Sequence, residues 1–169
     1  MKTYITGISG TGKTTLAHIL ESKGIKSISI DEIPGLCYWV SRNDGKKVEH
    51  EVALDKDFII SYAWLCDMEK LRTLMNGEDD IFVFGISENQ DEFLSLFNKV
   101  LLLQCSPEIF IKRILQRTDN DFGKDPSAQE YLLNTYKEFE SKMIGQGAIS
   151  IDADKPINEV ADAIMISAV

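Results

Sequence analysis

Gly7-Ile8-Ser9-Gly10-Thr11-Gly12-Lys13-Thr14 sits between an apolar run, Thr3 to Ile8, and a segment of helical period that stops near Gly24. The stretch matches the pattern G-x-x-x-x-G-K-[ST], and a place between a strand and a helix is the one its mechanism requires. The glycines let successive N–H groups turn inward around phosphate oxygens, and the dipole of the following helix adds positive potential. Lys13 reaches the terminal phosphates, and the Thr14 hydroxyl is suited to Mg²⁺. Gly7, Ser9, Gly10, Thr11, Gly12, Lys13, Thr14 and Thr15 are therefore expected to bind a nucleoside triphosphate such as ATP.

Outward from the loop, short apolar runs alternate with longer segments of helical period. This is the pattern of a parallel sheet covered by helices on both faces. Five strands are expected, at Thr3 to Ile8, Ile25 to Ile30, Ile81 to Gly85, Val100 to Leu103 and Ala148 to Ile151. Phe58, Tyr62, Leu65, Met68, Leu71 and Met75 recur every three or four residues, which predicts one helix of about five turns before the third strand. Prolines at first-turn positions, Pro107, Pro126 and Pro156, open three later helices, with Ser106 and Asp125 as N-caps of the first two. Residues 1–169 read as one α/β domain. Two stretches break the alternation, an acceptor region over about 32–78 and a short lid over about 118–125.

Composition narrows the class. The 169 residues are 44% hydrophobic and 27% charged, a profile of folded chains rather than disordered ones. The net charge of −9 disfavours a general nucleic-acid partner, so phosphate must be bound by local dipoles and a few cations. No apolar run reaches the roughly 18 residues of a membrane span, and the reading is a cytoplasmic protein with no membrane partner. Cys37, Cys66 and Cys105 lack metal-ligand spacing and read as buried or free thiols.

Taken together, the chain resembles the small P-loop phosphotransferases that include nucleoside monophosphate, shikimate and gluconate kinases. The carriers are GISGTGKT, the acidic end of strand two (Ser29-Ile30-Asp31-Glu32), the pair Arg113 and Arg117, and the final loop Ile151-Asp152-Ala153-Asp154-Lys155-Pro156. The resemblance implies that Arg113 lies over the adenine, that Arg117 reaches the phosphates, and that Asp154 and Pro156 border the base. It does not extend to a substrate. The Asp-Gly-Phe-Pro-Arg type of segment of adenylate kinases is replaced by Gly85-Ile86-Ser87-Glu88-Asn89, and the glycine run of shikimate kinases is missing.

Asp31 ends a strand next to the phosphate loop, where the carboxyl ends of strands line the ligand crevice. Its carboxylate either orients an acceptor hydroxyl and takes its proton, or holds Mg²⁺, or simply caps a turn; Glu32 is the next candidate. Trp39, Arg42, Lys46, Lys47, His50 and Arg72 suit an anionic or ring-shaped acceptor, although Asn43-Asp44-Gly45 also reads as a plain hairpin turn. Asn89 either contacts the acceptor or caps a helix running through Phe97. The expected function is ATP- and Mg²⁺-dependent phosphate transfer to a small acceptor. Its rivals are a hydrolysing ATPase or switch, with Asp31-Glu32 as a Walker B pair, and a polynucleotide-end kinase. GTPase signatures fail, because no Asp-x-x-Gly follows strand two.

Overall fold

The computed structural model describes residues 1–48 and 54–168, so His50 lies outside the described residues. In chain order the first half contains β1 (Lys2–Thr6), α1 (Lys13–Ser22), β2 (Ser27–Ser29), β3 (Cys37–Ser41), α2 (Lys56–Ser61), β4 (Tyr62–Cys66) and α3 (Met68–Leu74). The second half contains β5 (Ile81–Phe84), two single 3₁₀ turns (Gln90–Glu92 and Leu94–Leu96), β6 (Lys99–Gln104), α4 (Pro107–Gln116), α5 (Pro126–Gly145), β7 (Ile149–Asp152) and α6 (Ile157–Ala168).

The five expected strands form one sheet in the order β2-β5-β1-β6-β7, every pair parallel, so the strand leading to Asp31 is separated by β5 from the loop-bearing β1 and is not its neighbour as expected. Successive side chains of the central strand β1 point to opposite faces and so divide the core in two. Ile5 joins Phe84, Leu101 and Leu103 beneath Leu16 and Leu20 of α1, Phe110 and Ile114 of α4, and Val160 and Ile164 of α6. Tyr4 joins Ile81 and Val83 on the other face, under Leu71 of α3 and the two phenylalanines Phe93 and Phe97. Those two faces carry the expected helical layers. At the end of β5 a Cβ on Gly85 would fall 2.1 Å from Ile30 Cγ1, so only glycine lets the chain leave the sheet past β2.

Three further sequence expectations need correction. The single helix over Phe58 to Met75 does not form: Asp55 caps α2, the chain extends through Tyr62-Ala63-Trp64-Leu65-Cys66, and Asp67 caps α3. Aromatic residues at alternate positions fit a pleated ribbon as well as a helix, and pairing with β3 decides for the ribbon. The second correction follows from it, an additional two-stranded antiparallel sheet, β3-β4, within the acceptor region. Third, Asn89 caps no helix. Only 3₁₀ turns follow it, and its amide binds Cys66, accepting from the backbone N–H and donating to the carbonyl, each at 2.9 Å.

Other expectations hold. Asp125 accepts from Ser127 and Ala128 at the start of α5, and α6 begins after Pro156. Ser106 lies at the N-cap position of α4 without a capping side-chain bond. Asn43-Asp44-Gly45 forms a turn that folds Lys47 back onto Val40. No helix among the described residues is long and apolar enough to cross a membrane.

Candidate active site

The loop between β1 and α1 is shaped by its glycines. Gly10 and Gly12 have φ of +85° and +93°, and a Cβ on Gly10 would lie 2.5 Å from the Phe110 carbonyl oxygen. Left-handed backbone and close approach to α4 both demand glycine, and the result turns N–H groups toward the concave side. Thr11 ties the loop from within, its hydroxyl donating to the Ile8 carbonyl at 2.9 Å. Lys13 is buried, and its ammonium donates to the carbonyls of Gly7 at 2.6 Å and Ile8 at 2.9 Å. Burial lowers its pKa to about 8; the charge of Asp31 opposes the shift and that of Arg117 adds to it. The lysine, the carboxylate and the arginine are thus close enough to feel one another.

Arg117 follows the last turn of α4 and bridges the phosphate loop to the candidate lid. Its Nη1 donates to Ser9 Oγ at 3.0 Å, and its Nη2 donates to the Phe122 carbonyl at 2.6 Å and to Asn120 Oδ1. Its Nε is buried and has no partner among the described residues. An unsatisfied cationic N–H beside an N–H-lined loop fits an anionic phosphate, which would supply the missing acceptor. The residues present therefore fit a nucleoside triphosphate.

Asp31 lies just beyond β2. Solvent reaches the residue, yet enough protein surrounds its carboxylate to raise its pKa; Lys13, the Trp64 indole and Arg117 pull it back down. Trp64 Nε1 donates to Asp31 Oδ1 at 3.1 Å. The nearby Thr14 hydroxyl is 3.3 Å from Ser29 Oγ. A hydroxyl and a carboxylate on neighbouring elements suit a hard cation that keeps most of its ligands as water and phosphate oxygen. Glu32, the alternative carboxylate, is paired instead with His18 on α1 at 2.8 Å.

On the opposite flank Arg113 donates to the Ala153 carbonyl at 3.0 Å, which places it against the loop between β7 and α6. Asp154 accepts from the Ser106 N–H at 2.8 Å, and both Asp154 and Pro156 are exposed at that edge. A Cβ on Gly12 would sit 3.3 Å from Ile157, so the start of α6 borders the phosphate loop. Thr15 is exposed on the first turn of α1.

The acceptor side is aromatic. Trp39 packs on Trp64 at 5.1 Å between ring centroids, on Phe58 at 5.0 Å, and face to face with Phe122 of the candidate lid at 6.3 Å. Arg42 donates through Nη2 to both carboxylate oxygens of Glu88 at 2.6 Å and through Nε to the Ile60 carbonyl at 3.0 Å. Trp64, Ser29, Glu88 and Phe122, which the sequence did not single out, contact the candidate residues Asp31, Thr14, Arg42 and Trp39 respectively. The alternation Tyr62, Trp64, Cys66 was the available signal for the first of these.

A family model described as an AAA domain matches residues 4–138. Among solved structures, the deoxyadenosine kinase from M. mycoides with products dCMP and dCDP bound is 19% identical. The match covers 99% of this chain and 97% of that one, with a TM-score of 0.57. The shikimate kinase from Aquifex aeolicus is 19% identical over 99% and 95% of the two chains at a TM-score of 0.57. A gluconokinase from Sinorhizobium meliloti is 17% identical over 99% and 90% at 0.55. No curated protein matches by sequence. The fold is that of small P-loop kinases, as the motif resemblance implied.

Proposed function

The chain belongs to the AAA domain family, and on that footing we propose that it is a kinase that transfers the γ-phosphate of ATP to a small acceptor, with Mg²⁺ as cofactor. The observation that carries the reading is a glycine-shaped loop with Lys13 buried in it and Arg117 bonded to its Ser9, with Asp31 held by a strand of the aromatic ribbon. Phosphoryl transfer depends mainly on positioning and charge neutralisation, and this arrangement offers both. Lys13 and the loop N–H groups bind the terminal phosphates, and Arg117 brings its charge from the lid side. Arg113, Asp154 and Pro156 border the base. Thr14 would ligate Mg²⁺ and Asp31 would hold a Mg²⁺-bound water, the ion supplying charge neutralisation at the phosphates.

Asp31 aligns an acceptor hydroxyl and takes its proton. Trp39, with Trp64 and Phe58 beside it, favours an acceptor with a planar ring, such as a nucleoside or nucleotide. Arg42 and Glu88 supply polar contacts at its rim, and Asn89 contributes by holding β4. The reading treats residues 1–169 as one cytoplasmic domain with its acceptor region near 32–78 and its lid near 118–125.

The deciding experiment is a coupled ADP-release screen over nucleosides, nucleotides, sugar acids and related metabolites. One acceptor raising turnover far above the basal rate supports a kinase. ADP release that no acceptor changes overturns the reading in favour of hydrolysis. A salt-sensitive gel shift with end-labelled oligonucleotide would instead favour a polynucleotide-end kinase.

Two further outcomes follow. Arg117→Ala should lower kcat more than it weakens ATP binding, because a lid arginine meets the phosphates fully only in the closed state. Calorimetry showing an equal loss in both would make Arg117 a plain affinity residue. Binding should also take up protons above neutrality. With a pKa of about 8, roughly three-quarters of free Lys13 is neutral at pH 8.5, and triphosphate oxygens draw it back to the ammonium. An uptake of roughly 0.7 proton per ATP is expected at pH 8.5, read as a dependence of binding enthalpy on buffer ionisation enthalpy. A buffer-independent enthalpy would contradict it.

The same shift has a sign for stability. The folded pKa lies below the unfolded one, so between about 8 and the usual lysine value the unfolded chain holds the extra proton. The contribution of Lys13 to the stability of the ligand-free protein therefore rises with pH across that window.

A further inference from the structure

Cys37 and Cys66 are far apart in sequence and directly opposite each other across the antiparallel β3-β4 ribbon. The backbone bonds at the two ends of the ribbon set the phase of the ladder. The Asp67 N–H donates to the Leu36 carbonyl at 2.8 Å, and the Arg42 N–H donates to the Ser61 carbonyl at 3.0 Å. Hydrogen-bonded and non-hydrogen-bonded pairs alternate along such a ladder, so the pairs 37/66, 39/64 and 41/62 are non-hydrogen-bonded. Side chains at those pairs stand closest, with Cα atoms about 4.5 Å apart, inside the roughly 4.4–6.8 Å range that a disulfide spans.

The pairing sets the two side chains side by side on one face of the ribbon, and each thiol perturbs the other, Cys37 upward and Cys66 downward. Cys37 is half-buried and so gives a small oxidant a way in, while Cys66 is buried. Period two puts the cysteines on the same ribbon face as the next pair, Trp39 and Trp64, and Trp64 holds Asp31. Cys105 belongs to a different part of the molecule, against Arg113.

We propose that Cys37 and Cys66 form a reversible modification site, a cross-strand disulfide made by hydrogen peroxide, that staples the ribbon carrying Trp39 and Trp64. The thiolate sulfur attacks one peroxide oxygen, the O–O bond breaks, and the departing hydroxide takes a proton and leaves as water. The second thiol then attacks the resulting sulfenic acid, forming the S–S bond and releasing a second water. Two thiols are oxidised by two electrons, and one peroxide is reduced to two waters. A dithiol reductant reverses the step.

The test uses the full chain and hydrogen peroxide at low molar excess, followed by dithiothreitol, and needs no acceptor or activity assay. Its outcome is therefore independent of the kinase reading. The treated protein should become about 2 Da lighter and fall from three titratable thiols to one, with a Cys37–Cys66 peptide found after digestion. The only two tryptophans of the chain occupy the neighbouring ribbon pair, so their emission should be quenched by the adjacent disulfide and recover on reduction. Cys105→Ser should keep all of these changes, and Cys37→Ser should lose them. Should Cys66→Ser fail to fold, Cys37→Ser at the half-buried position decides alone. Gain of oxygen mass on separate cysteines without the 2 Da loss would overturn the proposal, as would a crosslink that includes Cys105 or joins two chains.

Discussion

Lys13→Ala is expected to abolish phosphate transfer, lowering turnover by a factor of about 10² to 10³ or more. The lysine is buried in the loop and its ammonium is preorganised on two backbone carbonyls. Burial already holds its pKa near 8, which shows how little solvent shares the charge. In the site as proposed it is the cation that follows negative charge as it moves between the terminal phosphates, and alanine leaves that charge to Arg117 alone. A steady-state rate within a few-fold of wild type would remove Lys13 from the mechanism. The variant should still bind nucleotide, more weakly, without the proton uptake at pH 8.5, and binding without uptake separates loss of the ammonium from a general loss of folding. Its ligand-free stability is expected to be equal to or above that of wild type near neutral pH, where burying an ammonium opposes folding.

Asp31→Asn should cut acceptor-dependent turnover by about 10² to 10⁴, the usual span for removing a general base. Nucleotide binding should change little. The substitution keeps the shape and the oxygen that accepts from Trp64, and it removes the charge that Lys13 feels. Two measurements on the same variant discriminate the roles of the residue: Mg²⁺·ATP affinity by calorimetry, and ADP release with the acceptor found in the screen. Near-normal turnover would reduce Asp31 to a turn residue, for which asparagine serves equally well. Loss of both would mean that it mainly holds the metal. Near-normal turnover would also turn attention to Glu32, whose exposed carboxylate lies 2.8 Å from His18 Nε2.

Much of the fold was legible in local pattern. The phosphate loop, the five parallel strands, the proline-initiated helices and the cap at Asp125 each depend on residues near one another in sequence, where glycine conformation, proline geometry and apolar periodicity act directly. Arg117 was placed at the phosphates by resemblance to known kinases, and its bond to Ser9 puts it beside the loop. Asp31 was read as ending the strand next to the one that carries the phosphate loop, but β5 lies between the two, and which strand inserts there is a tertiary choice that local pattern does not encode.

What the chain's local pattern could not decide lies between Ile33 and Met75. Phe58, Tyr62, Leu65 and Met68 fit a helical stripe, while Tyr62, Trp64 and Cys66 fit a strand, and both periods are present in the same residues. Pairing with Cys37 to Ser41 chooses the strand, because a ribbon satisfies the backbone of both segments and buries Trp39 against Trp64. From that one tertiary choice follow the indole bond to Asp31, the stacking of Phe122 on Trp39 and the meeting of two cysteines with no recognisable spacing. By itself the sequence determined a phosphate-binding α/β fold, since the loop's conformation is written in its glycines. The surroundings of Asp31 on the acceptor side were decided only when two distant segments met, because contacts across a ribbon depend on register and leave no trace in local periodicity.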